Sequence, residues 1–528
     1  MGTYLNPGNA GFTSARAGRY VDKTGLIAVV NNTIGKKEKL SCISRSRRFG
    51  KSIAAQMLCA YYDRSCDSSS LFDDLEIARD PSYHEHLNKY NVILLDITAF
   101  IGEEEGIEGV VSNIRRYVLR ELKNMYPELK EEKSLANALS EAVDISGIRF
   151  VVIIDEWDAL MRAANSTEKL QWEYLEFLRS LFKNTGLTDK VFAAAYMTGI
   201  LPIKKDGSQS AISEFREYTM LDPGKFERFV GFTEDEVRTL CNEDGIDYNE
   251  MKRWYDGYSF ETIHSVYNPN SVMYALDRRK FQSYWAMSSS ASSLLDYINM
   301  DFDGLSDAAA DLLAGKRIAI RVRPFQNDVS NLHSRDDVLT LLTHFGYLNY
   351  DSESGTVIIP NEEIREEFSD MLHDVTHEET RKRVQDSIRL IEDTVAGNEN
   401  AVAEQIERIH RQEFTPLHYN KEQSLRGVIK IAYFAYRDYY MQFDELPGGN
   451  GFADIVFIPK KYSEYPALIL ELKWEDTPET AIHQIKDRHY PDALKDFEGD
   501  ILLVGISYDK NSESKMHHCR IEAVMKEA

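Results

Sequence analysis

Apolar residues recur along this chain in two patterns. Lys39-Leu40-Ser41-Cys42-Ile43, Asn91-Val92-Ile93-Leu94-Leu95-Asp96, Phe150-Val151-Val152-Ile153-Ile154 and the stretch from Val191 to Gly199 are short, nearly continuous apolar runs, as strands buried on both faces read. Ile53 to Tyr62, Gly109 to Met125, Ser134 to Val143 and Gln171 to Phe182 instead space their apolar side chains along one helix face. Their alternation predicts a parallel α/β sheet with helices on both faces over residues 1–225.

From about Phe226 the pattern turns mainly helical. Thr233 with Glu236 three residues on marks a helix start. Trp254-Tyr255-Asp256-Gly257-Tyr258-Ser259-Phe260 and Tyr267-Asn268-Pro269 read as core and turn chemistry. Val338 to Tyr350 and Thr356 to Asn361 suggest a helix and then a hairpin, so residues 226–375 are expected to form a helical lid or winged-helix-like region. Two long polar helices, Glu378 to Val395 and Ala401 to Glu413, read as a connector spanning 376–412. Over 413–528 the texture returns to α/β: a helix from about Lys421 to Tyr440, a turn into a strand over Gly448 to Ile458, a strand over Ala467 to Lys473, and a helix over Thr480 to Arg488.

Size and charge narrow the reading. At 528 residues the chain is expected to hold about three domains, and 43% hydrophobic with 11% aromatic content fits folded globular structure. No apolar run approaches the roughly 20 residues that cross a bilayer, and the start Met1-Gly2-Thr3-Tyr4-Leu5-Asn6 lacks a basic segment followed by an apolar core. Five cysteines without metal-ligand spacing fit a reduced, cytoplasmic setting. A formal net charge of −24 argues against broad, sequence-independent adhesion to DNA, while leaving room for a local basic groove or for metals that supply the positive charge. An oligomer is left open.

Candidate chemistry sits at the strand ends. Ser44-Arg45-Ser46-Arg47-Arg48-Phe49-Gly50-Lys51-Ser52 places Gly-Lys-Ser between a strand and a helix, where backbone N–H groups and the helix dipole attract an anion. Lys51 would reach the β- and γ-phosphates and Ser52 would hold Mg²⁺. Arg45 stands where the common pattern has glycine, and Arg45, Arg47 and Arg48 are candidates for direct phosphate contacts. A solvated basic turn is the alternative. Asp155 and Glu156 close the Phe150 strand, Asp155 suited to Mg²⁺ and Glu156 to polarising water. Thr198 closes another strand and is either a γ-phosphate sensor or a plain strand end.

The second candidate centre lies near the C-terminus. Glu471 and Lys473 share one face of their strand, and pairing with the Gly451 strand would bring Asp454 to the same place. Two carboxylates that bind Mg²⁺ or Mn²⁺ beside a lysine suit phosphodiester hydrolysis, with Gln484 and Tyr490 facing the scissile phosphate. Glu422 is either a further carboxylate for the metal or an exposed residue at a helix start. A cross-strand ion pair is the alternative for the Asp454 set. His483, His489, His517 and His518 are expected at the surface.

These motifs resemble a known family. The N-terminal part is similar to the AAA-ATPase-like domain of bacterial proteins whose phosphate loop reads Arg-Pro-Arg-Arg-Phe-Gly-Lys-Ser, with Ser46 standing here in place of the proline. The C-terminal part resembles a PD-(D/E)xK nuclease-superfamily domain. Tyr20-Val21-Asp22-Lys23-Thr24 and Thr198-Gly199-Ile200-Leu201 also fall where the resemblance expects them. It implies a P-loop NTPase sheet holding ATP with Mg²⁺ at Lys51, Ser52, Asp155 and Glu156, and Arg47, Arg48, Phe49, Gly50 and Thr198 are further candidates for the nucleotide. It also implies a nuclease centre at Asp454, Glu471 and Lys473 supported by Gln484, with nucleic acid as partner. A nucleotide-dependent switch whose C-terminal domain binds nucleic acid or a protein without cleavage is the competing expectation.

Overall fold

Each apolar run before residue 200 becomes a strand, because both of its faces find a helix to cover them. The computed structural model describes residues 2–102, 106–130, 134–163, 165–203, 205–206, 209–210, 212–285, 302, 304–323, 325–327, 332–374, 378–413, 422–433, 440–448, 451–460, 465–494, 497, 499–509 and 516–524. Two units divide the chain, Met1–Trp285 with Ala319–Ile364, and Ala286–Ile318 with Arg365–Ala528.

In the first unit, Leu40–Ser44 (β1), Asn91–Asp96 (β2), Phe150–Asp155 (β3), Phe192–Gly199 (β4) and Arg216–Tyr218 (β5) form a sheet in the order β2-β3-β4-β1-β5. All four pairings are parallel. Val152 and Ile154 point into a core shared with helices Val110–Met125, Leu135–Ser146 and Glu168–Phe182. Val151 and Ile153 point the other way, onto helix Lys51–Tyr62. Ser134 and Thr167 accept backbone N–H bonds and start two of these helices. β5 was not foreseen: Arg216-Glu217-Tyr218 is short, polar and on the sheet edge, where no apolar run is required.

Register decides where the site lies. Ile43 is level with Thr198, and Ile154 with Met197. The loop after β1, Asp155 and Thr198 therefore leave the sheet together at its carboxyl edge, the edge at which parallel sheets bind ligands. Beyond the sheet, Thr233 and Glu236 form the expected capping box of helix Glu234–Asp244. Asn268 caps Pro269–Arg278 by accepting the Asn270 N–H at 2.9 Å. Helix Arg335–Phe345 precedes a hairpin of Asn349–Asp351 and Thr356–Ile358.

The second unit holds Tyr440–Gly448 (β6), Gly451–Pro459 (β7), Ala467–Trp474 (β8), Ile501–Tyr508 (β9) and His517–Ala523 (β10), paired in chain order. β8 and β9 run parallel across helix Pro478–Asp487, and the other pairs are antiparallel. Leu468, Leu470 and Leu472 face Leu390 and Ile391 of Glu378–Val395, Val402 and Ile406 of Glu399–Glu413, and Leu425 and Val428 of Glu422–Ala432. Ile469 faces Ile482 and Ile485 on the other side. The two long polar helices read from sequence as a connector thus cover the sheet through one apolar stripe each. The helix expected to run to Tyr440 ends at Ala432, and Tyr440 opens a strand instead. Among the described residues no helix is long and apolar enough to cross a membrane.

One histidine departs from the expected surface position. His517 is buried, its Nδ1 2.7 Å from Glu407 Oε2 and its Nε2 2.7 Å from His410 Nδ1. Glu407 also accepts the His517 backbone N–H at 3.1 Å, which gives the ring a reason to turn inward. Burial and the neighbouring imidazole push His410 down to about 4. A histidine kept neutral by the fold contributes its stability above the unfolded value near 6.5 and loses it as pH falls towards 4. Denaturation followed by the emission of Trp474, which stacks on Tyr508 at 4.4 Å, is expected to show this unit weakening from pH 7 to pH 5. The weakening is expected to shrink in His410→Asn.

Candidate nucleotide and nuclease sites

The backbone leaving β1 keeps one more sheet bond, Arg45 N–H to the Gly199 carbonyl at 3.0 Å, and then turns. Gly50 sits at φ 83, a conformation glycine adopts without strain, and its carbonyl accepts the Ala54 N–H to open helix Lys51–Tyr62. Lys51 is buried. Its Nζ donates to the carbonyls of Arg45 and Ser46 at 3.0 and 2.9 Å and stands 3.7 Å from Glu156 Oε1. Burial lowers the Lys51 pKa, while Glu156 and then Asp155 oppose the fall. Ser52 is exposed beside it.

The three arginines separate. Arg45 is fully buried, its guanidinium 4.5 Å over the Phe260 ring and donating to the Thr219 carbonyl at 2.5 Å. Its direction, set by the retained sheet bond, takes it into the core, so it is not a phosphate contact in this arrangement. Burial pushes it down to about 9. Arg48, at φ 66, donates to the Tyr284 carbonyl at 2.8 Å. Arg47 is half-buried and feels Arg162 and Glu156. Phe49 is buried edge-on to Tyr258 at 5.2 Å and anchors the loop. Ser46 is packed, not loose: a Cβ on Gly346 would fall 2.5 Å from its hydroxyl.

At the end of β3, Asp155 accepts the Thr198 hydroxyl and, at 3.1 Å, the Glu156 N–H. Thr198 is itself buried, its hydroxyl turned to Asp155. Glu156 has φ 51, a strained value that persists where the surroundings fix it. Its fixing partner is Arg162, which donates to Glu156 Oε2 at 2.5 Å and to Asp158 Oδ2 at 2.8 Å. Burial raises the Glu156 pKa against the pull of Lys51. A cavity of about 410 Å³ opens beside the loop, lined among others by Lys51, Ser52 and Glu156 and by Tyr20, Phe229 and Phe232.

In the second unit, Ile455 pairs with Leu470, so one step along the strands Asp454 meets Glu471. Asp454 accepts the Leu472 N–H at 2.9 Å and is gripped by Arg426. Glu471 is 3% exposed. Its Oε1 takes Lys473 at 3.1 Å and the Gln484 amide. Lys473 in turn donates to Gln484 Oε1 at 2.6 Å, and the Gln484 amide reaches the Tyr490 hydroxyl at 3.4 Å. Glu471 Oε2 is buried with no hydrogen-bond partner among the described residues. Burial, reinforced by Asp454, pushes the Glu471 carboxyl up to about 7. Glu422 opens helix Glu422–Ala432, and its side chain lies outside the described residues.

Residues 12–208 match the family model described as Predicted AAA-ATPase, and residues 420–518 match that of the PD-(D/E)XK nuclease superfamily. The chain is an AAA-ATPase-like protein with a C-terminal PD-(D/E)XK nuclease-superfamily domain. A curated relative, an uncharacterized protein in the vnfD 5′ region of Azotobacter chroococcum mcd 1, is 22% identical over 285 residues, 53% of this chain and 52% of that protein. The match therefore spans about half the length of that relative. Among solved structures, the Aeropyrum pernix ORC2 protein, as ADPNP–ADP complexes, aligns at 12% identity and TM-score 0.29 over 67% of this chain and 96% of that one. The ORC1 protein from Aeropyrum pernix in complex with DNA aligns at 10% and 0.24 over 73% and 100%. Scores this low carry no argument about this chain.

Sequence reasoning missed two charged groups that shape the sites. Arg162 of the AAA-ATPase-like domain lies four residues past Asp158 on one helix turn, a spacing that allows the pair. Arg426 of the nuclease-superfamily domain lies one helix turn beyond Glu422, and nothing near it in sequence points to Asp454. Asp158 is fully buried and also takes the Leu201 N–H at 2.8 Å. Arg162→Ala, which leaves that carboxylate without its cation, is expected to destabilise the ATPase-like domain by about 3 kcal/mol in urea unfolding.

Proposed function

We propose that this chain hydrolyses ATP in its AAA-ATPase-like domain and cleaves nucleic-acid phosphodiester bonds in its nuclease-superfamily domain, ATP gating the second activity. The observation that carries the reading is Glu471 Oε2: a buried oxygen with no hydrogen-bond partner among the described residues, beside Asp454 and on the carboxylate that pairs with Lys473. The donor set is hard oxygen and fits Mg²⁺ or Mn²⁺. Asp454 and Glu471 would hold a divalent ion, which would supply positive charge for the phosphate and activate the attacking water. Lys473, fixed between Glu471 and Gln484, would orient the attacking water and face the charge that develops on the phosphate. Tyr490 and Gln484 close the side of the site.

In the ATPase-like domain Lys51 exchanges the Arg45 and Ser46 carbonyls for phosphate oxygens. Ser52 and Asp155 would hold the Mg²⁺ that accompanies ATP, and Tyr20, Phe229 and Phe232 would take the base. Glu156 acts as the water-orienting group, with Arg162 fixing one carboxylate oxygen.

One observation favours a second reading. Arg426 already neutralises Asp454, and among the described residues no group of three or more acidic, histidine or cysteine side chains is arranged to hold a metal. A domain that binds nucleic acid or a protein without cutting fits that arrangement. Labelled single- and double-stranded DNA and RNA, incubated with the full chain with and without ATP, Mg²⁺ and Mn²⁺, decide the matter. Cleavage lost in Asp454→Ala supports the nuclease, and tight binding without cleavage under either metal supports the switch.

A further inference from the structure

The carboxylate oxygens of Asp454 and Glu471 are engaged unequally. The β7–β8 ladder runs from the Phe457–Leu468 pair to Ile455–Leu470, and one step further Asp454 turns its carboxylate to the neighbouring strand, Oδ2 accepting the Leu472 N–H at 2.9 Å. Oδ1 takes the Arg426 guanidinium instead. On the other carboxylate, Glu471 Oε1 takes Lys473 at 3.1 Å and the Gln484 amide, while Oε2 has no hydrogen-bond partner among the described residues. The two groups lie close enough for the Asp454 charge to raise the Glu471 pKa. The oxygens left for a divalent ion are thus Glu471 Oε2 and Asp454 Oδ1, and Arg426 stands on the second.

Arg426 is fixed at its base and free to turn at its tip. Its helix neighbours Leu425 and Val428 are fully buried in the core, while 31% of the Arg426 side chain is exposed. A guanidinium keeps its charge throughout the working pH range, and a dication arriving at the same oxygen repels it. The planar fork then meets an anion elsewhere, and a phosphate accepts it through two parallel bonds. We propose that Arg426 has two positions: it occupies Asp454 Oδ1 in the metal-free chain, yields that oxygen to the divalent ion, and turns to a phosphate of the bound polynucleotide. One side chain thereby guards the metal-free carboxylate and later holds the substrate. The inference rests on the phosphodiester reading of Asp454, Glu471 and Lys473 and adds a phosphate-binding residue to it.

The test uses the full chain, Mn²⁺ titrated by calorimetry, and short fluorescent DNA and RNA strands bound in Ca²⁺. Without polynucleotide, Arg426→Gln is expected to bind Mn²⁺ roughly 2- to 10-fold more tightly than wild type, because the competing cation is gone. In Ca²⁺ the same variant is expected to lose roughly 10-fold in polynucleotide affinity, with a salt dependence shallower by about one phosphate contact. Arg426→Lys, which keeps the charge, is expected to return metal affinity and salt slope to wild type. Arg426→Met, also neutral, repeats the measurements should the glutamine variant fail to fold. Metal affinity that stays or falls in the neutral variants makes Arg426 a mere support for Asp454 and overturns the proposal, as does an unchanged salt slope. Either result leaves the phosphodiester reading standing. Wild type that binds Mn²⁺ and no polynucleotide overturns both.

Discussion

Lys51→Ala is expected to erase the thermal stabilisation that ATP with Mg²⁺ gives the wild-type chain. At a ligand concentration a hundredfold above Kd that stabilisation is about 2.7 kcal/mol, readily seen in a melting curve. The Lys51 ammonium is taken out of water and satisfied by two neutral carbonyls, with its nearest carboxylate at 3.7 Å. A triphosphate offers anionic acceptors in their place, and charge-assisted bonds in a dry site are the stronger kind. Without the lysine the phosphates have no ammonium to meet at the helix start. The nucleotide-free variant is expected to melt close to wild type, because removing the ammonium also removes its desolvation cost. Glu156→Gln separates binding from turnover: the ATP-induced shift persists while phosphate release falls roughly 10²- to 10⁴-fold. Melting curves with ATP, ADP and no nucleotide carry the decision, and a Lys51→Ala chain that still gains from ATP puts the triphosphate elsewhere.

How far the sequence foretold these sites depends on how local their signals are. β1, β3 and β4 were legible because parallel strands buried on both faces must be apolar without interruption, and Asp155 and Thr198 followed as the first polar groups at their ends. Glu471 and Lys473 were legible for a similar reason, two polar residues on one face of an otherwise buried strand. β5 and β6 were not. Arg216-Glu217-Tyr218 lies at a sheet edge, and Tyr440–Gly448 mixes polar and apolar residues as a strand in the outermost position does.

Contacts between distant residues were the other blind spot. Arg45 looked like a phosphate ligand because charge density in a loop is all that a sequence shows. Its burial follows from a backbone bond to Gly199, which only the fold reveals. His517 is turned inward by Glu407, 110 residues away, and Asp454 is gripped by Arg426 from a helix whose register no local pattern fixes. The site chemistry was readable where neighbours along the chain make it, and hidden where the fold brings the partner.

Glu471→Gln is expected to reverse its effect on stability when a divalent metal is added. The Glu471 carboxyl keeps its proton up to about pH 7 in the folded chain and ionises near 4.3 when unfolded. A carboxyl raised in this way contributes its stability fully below the unfolded value and loses it as pH rises through 7. Glutamine has no proton to lose. In the metal-free protein the variant is therefore expected to match wild type near pH 4 and to be the more stable of the two at pH 8. Mg²⁺ or Mn²⁺ binds the ionised carboxylate, so metal-induced stabilisation of wild type should grow through pH 7, and the variant should show none. Cleavage of nucleic acid should rise over the same interval and vanish in Glu471→Gln. Lys473→Ala, which removes a group bonded to the carboxylate and not a ligand, is expected to keep the metal-induced shift while losing roughly 10²- to 10⁴-fold in cleavage. Metal stabilisation that survives Glu471→Gln at pH 8 would take the ion away from this carboxylate, and Lys473 would then have no water to act on.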